Sequence, residues 1–324
     1  MNLSQQNTSP SSTGIGTVLV ASVLILSGCT ESQTVTENAD EPSSRFEITT
    51  MGLTFEAPDS IASGWITFAF VNRSAMTHFA LVERMPEGVG IAEQQREVAP
   101  VFQEGMDLLQ AGSFDDAMAA FGALPPWFAE VEFLGGPGLV GPGRSSETTV
   151  RLAPGRYLVE CYVKTGGIFH SYNPDSTQYG MVHEFTVTSD TLTSRAPAPT
   201  LTVELSSSDG IAVTGEATPG DHTIAVHFKD QMTHENFVGH DLHLARLGDD
   251  TDLESLENWM NWSVPGGLET PAPVEFVGGV NEMPAGSTAY LHVSLEPCRY
   301  AWIYEVPASE DNGVLRVLTV APAS

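Results

Sequence analysis

The feature that most limits how this chain can fold is that it repeats itself. Residues 131–163, VEFLGGPGLVGPGRSSETTVRLAPGRYLVECYV, align without a gap on residues 274–306, VEFVGGVNEMPAGSTAYLHVSLEPCRYAWIYEV, at a constant offset of 143 residues. Val131, Glu132, Phe133, Gly135, Gly136, Gly143, Leu152, Pro154, Arg156 and Tyr157 all recur at that one register. Upstream, ITFAFVNRSAMTHFALVERM matches TIAVHFKDQMTHENFVGHDLHLARL, which pairs His78 with His240 at an offset of 162. The chain therefore reads as two copies of one domain, residues 45–190 and 200–324, joined by a Pro-containing linker at 191–199.

Each copy has the pattern of a β domain. TTVRLAPGRYLVECYV and TAYLHVSLEPCRYAWIYEV both read as strand, Pro-containing turn, strand, with the alternation expected of a sheet that faces a core on one side. Several such runs separated by Gly and Pro predict an all-β chain of two tandem Greek-key β-sandwiches. The exception is residues 91–124, where Val101, Met106, Leu108, Leu109, Met118 and Phe121 fall at helical spacing with a break at Ala111-Gly112-Ser113. Two short helices inserted in the first copy are expected, with DLESLENWMNW as a shorter counterpart in the second. Their apolar residues need burial, so the insertion should cover the sandwich.

The N-terminus carries a different signal. Residues 15–26, IGTVLVASVLIL, are too short an apolar run to span a bilayer comfortably, and Leu26-Ser27-Gly28-Cys29 follows at once. This resembles a bacterial lipobox, which implies a signal peptide over 1–28, lipid on Cys29 and a polar tether over 29–44. The resemblance places the chain in the cell envelope, held to the membrane through Cys29 and facing the periplasm or exterior. One part of the usual pattern is missing, since residues 1–28 contain no Lys or Arg. Charge excludes another class of partner. With 41 acidic against 13 basic residues and a formal net charge of −28, the chain has no means of releasing counterions from nucleic acid.

If Cys29 takes lipid, Cys161 and Cys298 remain. They can pair as a disulfide, or Cys161 can serve a metal, and the two roles exclude each other. Cys161, His170 and Met181 lie in that order at the end of a strand-like run, and His78 lies in an earlier one. Thiolate, two imidazoles and a thioether are the ligand types of a blue-copper site. The order, and the Gly180-Met181-Val182 ending before a strand, resemble the cupredoxin family. That resemblance implies two cupredoxin-like sandwiches, one type 1 copper in the first held by His78, Cys161, His170 and Met181, and exchange of electrons with a redox protein partner, or copper holding. His183 is a candidate substitute ligand. The spacing departs from small cupredoxins, which have shorter loops; here eight residues separate Cys161 from His170 and ten separate His170 from Met181.

The second copy is an internal comparison. Tyr304 stands at the position of Cys161 and Gly313-Val314 at that of Gly180-Met181, with no histidine after Tyr304. The ligands are lost there, and His240 is expected to be a packing residue. The chain also lacks His-x-His pairs, a histidine beside Cys161, and the G-x-S-x-G, H-E-x-x-H, P-loop and C-x-x-C motifs. A redox carrier is thus expected in preference to an enzyme. The alternative is a metal-free interaction or structural protein of the cell envelope built on the same sandwich.

Overall fold

The computed structural model describes residues 44–234, 236–307 and 313–322. The signal peptide expected over 1–28, the expected lipidation of Cys29 and all but Ser44 of the expected tether lie outside these residues. Among the described residues, no helix is long and apolar enough to cross a membrane.

Strand is the predominant regular structure among the described residues, and each half has two layers. In the first half one layer holds Arg45–Thr50, Ser145–Leu152 and the C-terminal part of Ser60–Asn72. The other holds Leu81–Arg84, Gly155–Glu160 and Val182–Thr191, which also pairs with the first residues of Ser60–Asn72. That long strand passes from one layer to the other at Gly64, whose φ of 130° and close approach to Leu192 suit a residue without a Cβ. The second half repeats the arrangement. Leu201–Ser206 runs parallel to Gly220–Phe228 as Arg45–Thr50 does to Ser60–Asn72, and Leu242–Leu247 pairs with Arg299–Ile303 as Leu81–Arg84 does with Gly155–Glu160.

The strand bounds carry the sequence repeat into three dimensions. Ser145–Leu152 and Thr288–Leu295 begin and end at equivalent residues, 143 apart. The turn that follows is held by the same bond in each half. Tyr157 Oη donates to the Ala153 carbonyl at 2.7 Å, and Tyr300 Oη to the Glu296 carbonyl at 3.2 Å. This is why Leu-x-Pro-x-Arg-Tyr recurs: the proline sets the turn and the tyrosine, buried by its ring, ties the hydroxyl back across it.

The halves also pair with each other. Ser145–Leu152 and Thr288–Leu295 run antiparallel side by side, with Thr148 opposite Leu291, its own counterpart, so the inner layers of both halves and, through Ser60–Asn72, the other layer of the first half join in one sheet of 12 strands. Thr149 Oγ1 meets His292 Nε2 at 2.8 Å, Tyr162 Oη donates to Glu305 Oε2 at 3.2 Å, and Pro137 bridges Val280. Each of these joins a residue to its equivalent 143 positions on. The halves thus meet about a pseudo-twofold axis, the geometry of an isologous dimer within one chain.

The insertion forms three helices: α1 (Ile91–Glu97), α2 (Ala99–Gln110) and α3 (Phe114–Phe121). The expected break at 111–113 is present. The additional one falls at Val98, because Pro100 in the first turn of α2 has no N–H to continue α1. Met106, Ala117 and Phe121 are buried, and Gly105 leaves room for the Phe121 ring, which a Cβ there would meet. In the second half the shorter counterpart is α4 (Leu253–Met260), capped by Asp252 accepting from the Glu254 N–H. Cys161 and Cys298 are both free, and Cys298 Sγ lies 3.6 Å from the Leu247 carbonyl, so no disulfide joins them.

Candidate metal centre

His78 sits just before Leu81–Arg84, fixed by a two-way backbone bridge to Val140: its N–H donates at 3.1 Å and its carbonyl accepts at 2.7 Å. Cys161 follows directly on Gly155–Glu160, where alternation turns its side chain into the core while Glu160 and Tyr162 face the other way.

The length of the loop to His170 is absorbed by a small hairpin. Lys164–Thr165 pairs with Ile168–Phe169 around Gly166-Gly167, both at positive φ as a two-residue hairpin turn requires. The chain thereby returns, and the His170 N–H donates to the Val163 carbonyl at 2.8 Å. Residues 171–180 make a second closed excursion, in which Asp175 accepts from the Thr177 N–H and hydroxyl. It ends at Gly180, packed against Ser171 so tightly that a Cβ would meet its carbonyl. Met181 then donates its N–H to the His170 carbonyl at 2.6 Å and accepts from the Cys161 N–H at 3.1 Å. Long spacing in sequence thus becomes short spacing in space.

Three donor atoms converge. Cys161 Sγ lies 3.5 Å from His78 Nδ1 and 3.8 Å from His170 Nδ1, and the two nitrogens are 3.2 Å apart. The circle through these atoms has a radius of about 2 Å, close to the length of a bond from a transition metal to imidazole nitrogen or thiolate. His78, Cys161 and Met181 are fully buried and His170 nearly so. His183 is not among them: its Nε2 meets the Pro58 carbonyl at 3.1 Å near the surface, because the strand begins at Val182 and turns that ring outward.

Burial disfavours charge on all three donor groups. Burial holds His78 down to about 3, with His170 adding to the effect, and His170 down to about 4, so both rings keep free lone pairs. Burial also pushes the Cys161 thiol up to about 12, against backbone hydrogen bonds from Phe79 and Val163 that favour the thiolate. A thiolate in this place needs a positive partner. Among the described residues His78 Nε2 has no hydrogen-bond partner, while His170 Nε2 meets the exposed Thr165 hydroxyl at 2.8 Å. The second ring therefore has a link to the surface.

The second half keeps the frame and changes the chemistry. Tyr304 and His240, both buried, pack with ring centroids 5.3 Å apart where the first half has Cys161 and His78. A second buried cluster, Asp241, His243 and Glu305, was not singled out from sequence. His243 Nδ1 accepts from the Leu139 N–H at 3.1 Å, so its proton is on Nε2, 2.7 Å from Asp241 Oδ2. Both ring nitrogens are thus engaged in hydrogen bonds that brace the junction of the halves. An acidic residue inside an apolar strand, as in WIYEV, is the signal that points to Glu305.

No family profile matches the sequence, and no curated protein matches it. Solved structures give slight likenesses. Dithionite-reduced auracyanin from Roseiflexus castenholzii is 21% identical over 45% of this chain and 98% of that one, with a TM-score of 0.26. Auracyanin A, described as a "blue" copper protein from Chloroflexus aurantiacus, is 19% identical over 44% and 98%, also at 0.26. A copper nitrite reductase from Nitrosomonas europaea is 12% identical over 86% and 94%, at 0.22. At these scores the likenesses carry no argument, and function is argued from the site itself.

Proposed function

We propose that the first half holds one type 1 copper and that the protein exchanges single electrons with a redox partner. The observation that carries this is the convergence of Cys161 Sγ and the two Nδ1 atoms at mutual distances of 3.2–3.8 Å in a buried site. Copper would supply a one-electron couple there. His78, Cys161 and His170 would hold it, with the buried Met181 supplying the thioether of the set. The chain's own contribution is rigidity. The Val140 bridge fixes His78, and the Val163 and Met181 backbone bonds fix His170 against Cys161, so the donors keep their places as charge changes. The Phe79 and Val163 N–H groups stabilise the thiolate, and the fold excludes water from it. The His170–Thr165 contact is a polar route from the donor set to the surface, and we place electron entry there.

Membrane attachment through Cys29 and location in the cell envelope belong to the same proposal, since they would set the carrier beside membrane-linked partners. The acidic surface favours partners with basic docking faces. Titration of the purified chain with cupric ion tests the reading. We expect an intense visible thiolate-to-copper band that saturates at one ion per chain, bleaches on reduction and is absent in Cys161→Ser. If the band is missing from the wild type, or survives that substitution, the copper reading fails.

A further inference from the structure

Between the two halves, beneath α1 and α2, lies a cavity of about 110 Å³ that the copper reading does not use. Its walls are aromatic, formed by Phe102, Trp127, Phe128, Phe237 and Trp262, with Phe237 40% exposed at the rim. Acids also line it: Glu83 and Glu160 from the first half, Asp241 and Glu282 from the second. The buried Glu160 accepts from Gln94 Nε2, Asp241 is engaged by His243, and Glu282 Oε2 accepts from the Gly239 N–H at 2.8 Å.

Two acceptors on the cavity wall lack donors among the described residues. Glu83 is only 6% exposed, and its carboxyl makes no hydrogen bond or ion pair among the described residues; its one charged neighbour is Glu160, a like charge. Asn236 is 2% exposed, and its Oδ1 accepts nothing, although its Nδ2 donates to the Glu305 carbonyl at 3.0 Å. Leaving a carboxyl and an amide oxygen without donors in such a wall is unfavourable, and a ligand carrying N–H donors and positive charge would offset that cost. Among the described residues these four acids form no group of three close donors by themselves; Asp241 belongs to the cluster with His243 and Glu305, where both ring nitrogens of His243 are already hydrogen-bonded.

We infer that this cavity binds a small primary alkylammonium ion, its N–H groups directed to Glu83, Glu160 and Asn236 and its alkyl chain among the aromatic rings. Cation–π attraction adds to the carboxylate contacts, and the net charge of −28 raises the local concentration of cations. The size fits a short chain: a cavity of roughly 150 Å³ takes benzene, so about five heavy atoms suit this one. The inference stands apart from the copper reading, because none of the cavity-lining residues is a member of the donor set.

Titration calorimetry at pH 8, with Trp fluorescence as a second readout from Trp127 and Trp262, tests it with n-butylammonium as probe. We expect one saturable site, binding of n-butanol at least tenfold weaker, and a loss of tenfold or more in Glu83→Gln. The Gln side chain keeps the shape of Glu83 and removes a buried charge, so the variant should fold; Glu160→Gln gives an independent second case. Equal binding of butanol and butylammonium, or binding unchanged in both variants, would show an apolar cavity without cation recognition and overturn the inference, as would no binding at all.

Discussion

Gly136→Ala should lower the melting temperature by roughly 6–12 °C, corresponding to a loss of about 3 kcal/mol or more. Gly136 has φ of 92°, and a Cβ there would lie 2.2 Å from the Ala80 carbonyl oxygen and 2.8 Å from Val82 Cγ2. That oxygen cannot move aside. The Ala80 N–H donates to the Pro137 carbonyl and the Val82 N–H to the Gly135 carbonyl, both at 2.9 Å, which locks residues 80–82 against 135–137. The same segment leads directly from His78 and bridges to Val280 near the pseudo-twofold axis, so the damage reaches both the donor set and the junction of the halves. Gly143→Ala is the control. Its φ of 70° is equally unfavourable for alanine, but open space surrounds the position, and about 1 kcal/mol is expected. Thermal melts of the two variants separate steric closure from backbone preference; similar losses would contradict the account of the repeated Gly-Gly pair.

A second large effect is expected from the metal. Saturating cupric ion should raise the melting temperature of the wild type by on the order of 10 °C, since a ligand at a thousand times its dissociation constant adds about 4 kcal/mol to stability. The unfolded chain scatters Cys161 and the two histidines, so tight binding requires the folded triangle. Cys161→Ser should show little of this rise, and should itself melt near the copper-free wild type because serine keeps the volume close. A rise of equal size in that variant would place the stabilising copper elsewhere, among the many surface carboxylates.

Much of this architecture is legible in the sequence because it is written twice. The shared register of Gly-Gly, Leu, Pro, Arg and Tyr locates equivalent strands to within a residue, and the buried hydroxyl corner explains why those residue types persist. Residue type and order single out His78, Cys161, His170 and Met181, and the fold brings the donor atoms of the first three together. What spacing concealed was the geometry. A hairpin at Gly166-Gly167 and an excursion closed by Gly180 shorten the path in space, and both depend on backbone conformation that residue counting does not see. The kink at Val98 was less apparent because apolar periodicity runs through it. The buried acids were hidden for another reason. Alternation assigns Glu83 and Glu160 to the face away from the sandwich core, which reads as solvent until α1 and α2 cover it.

X-ray absorption at the copper edge of the loaded protein is the most direct measurement of the central claim. The donor triangle predicts one sulfur at about 2.2 Å and two imidazole nitrogens at about 2.0 Å in the first shell. A shell made only of oxygen and nitrogen, with no short sulfur, would contradict it.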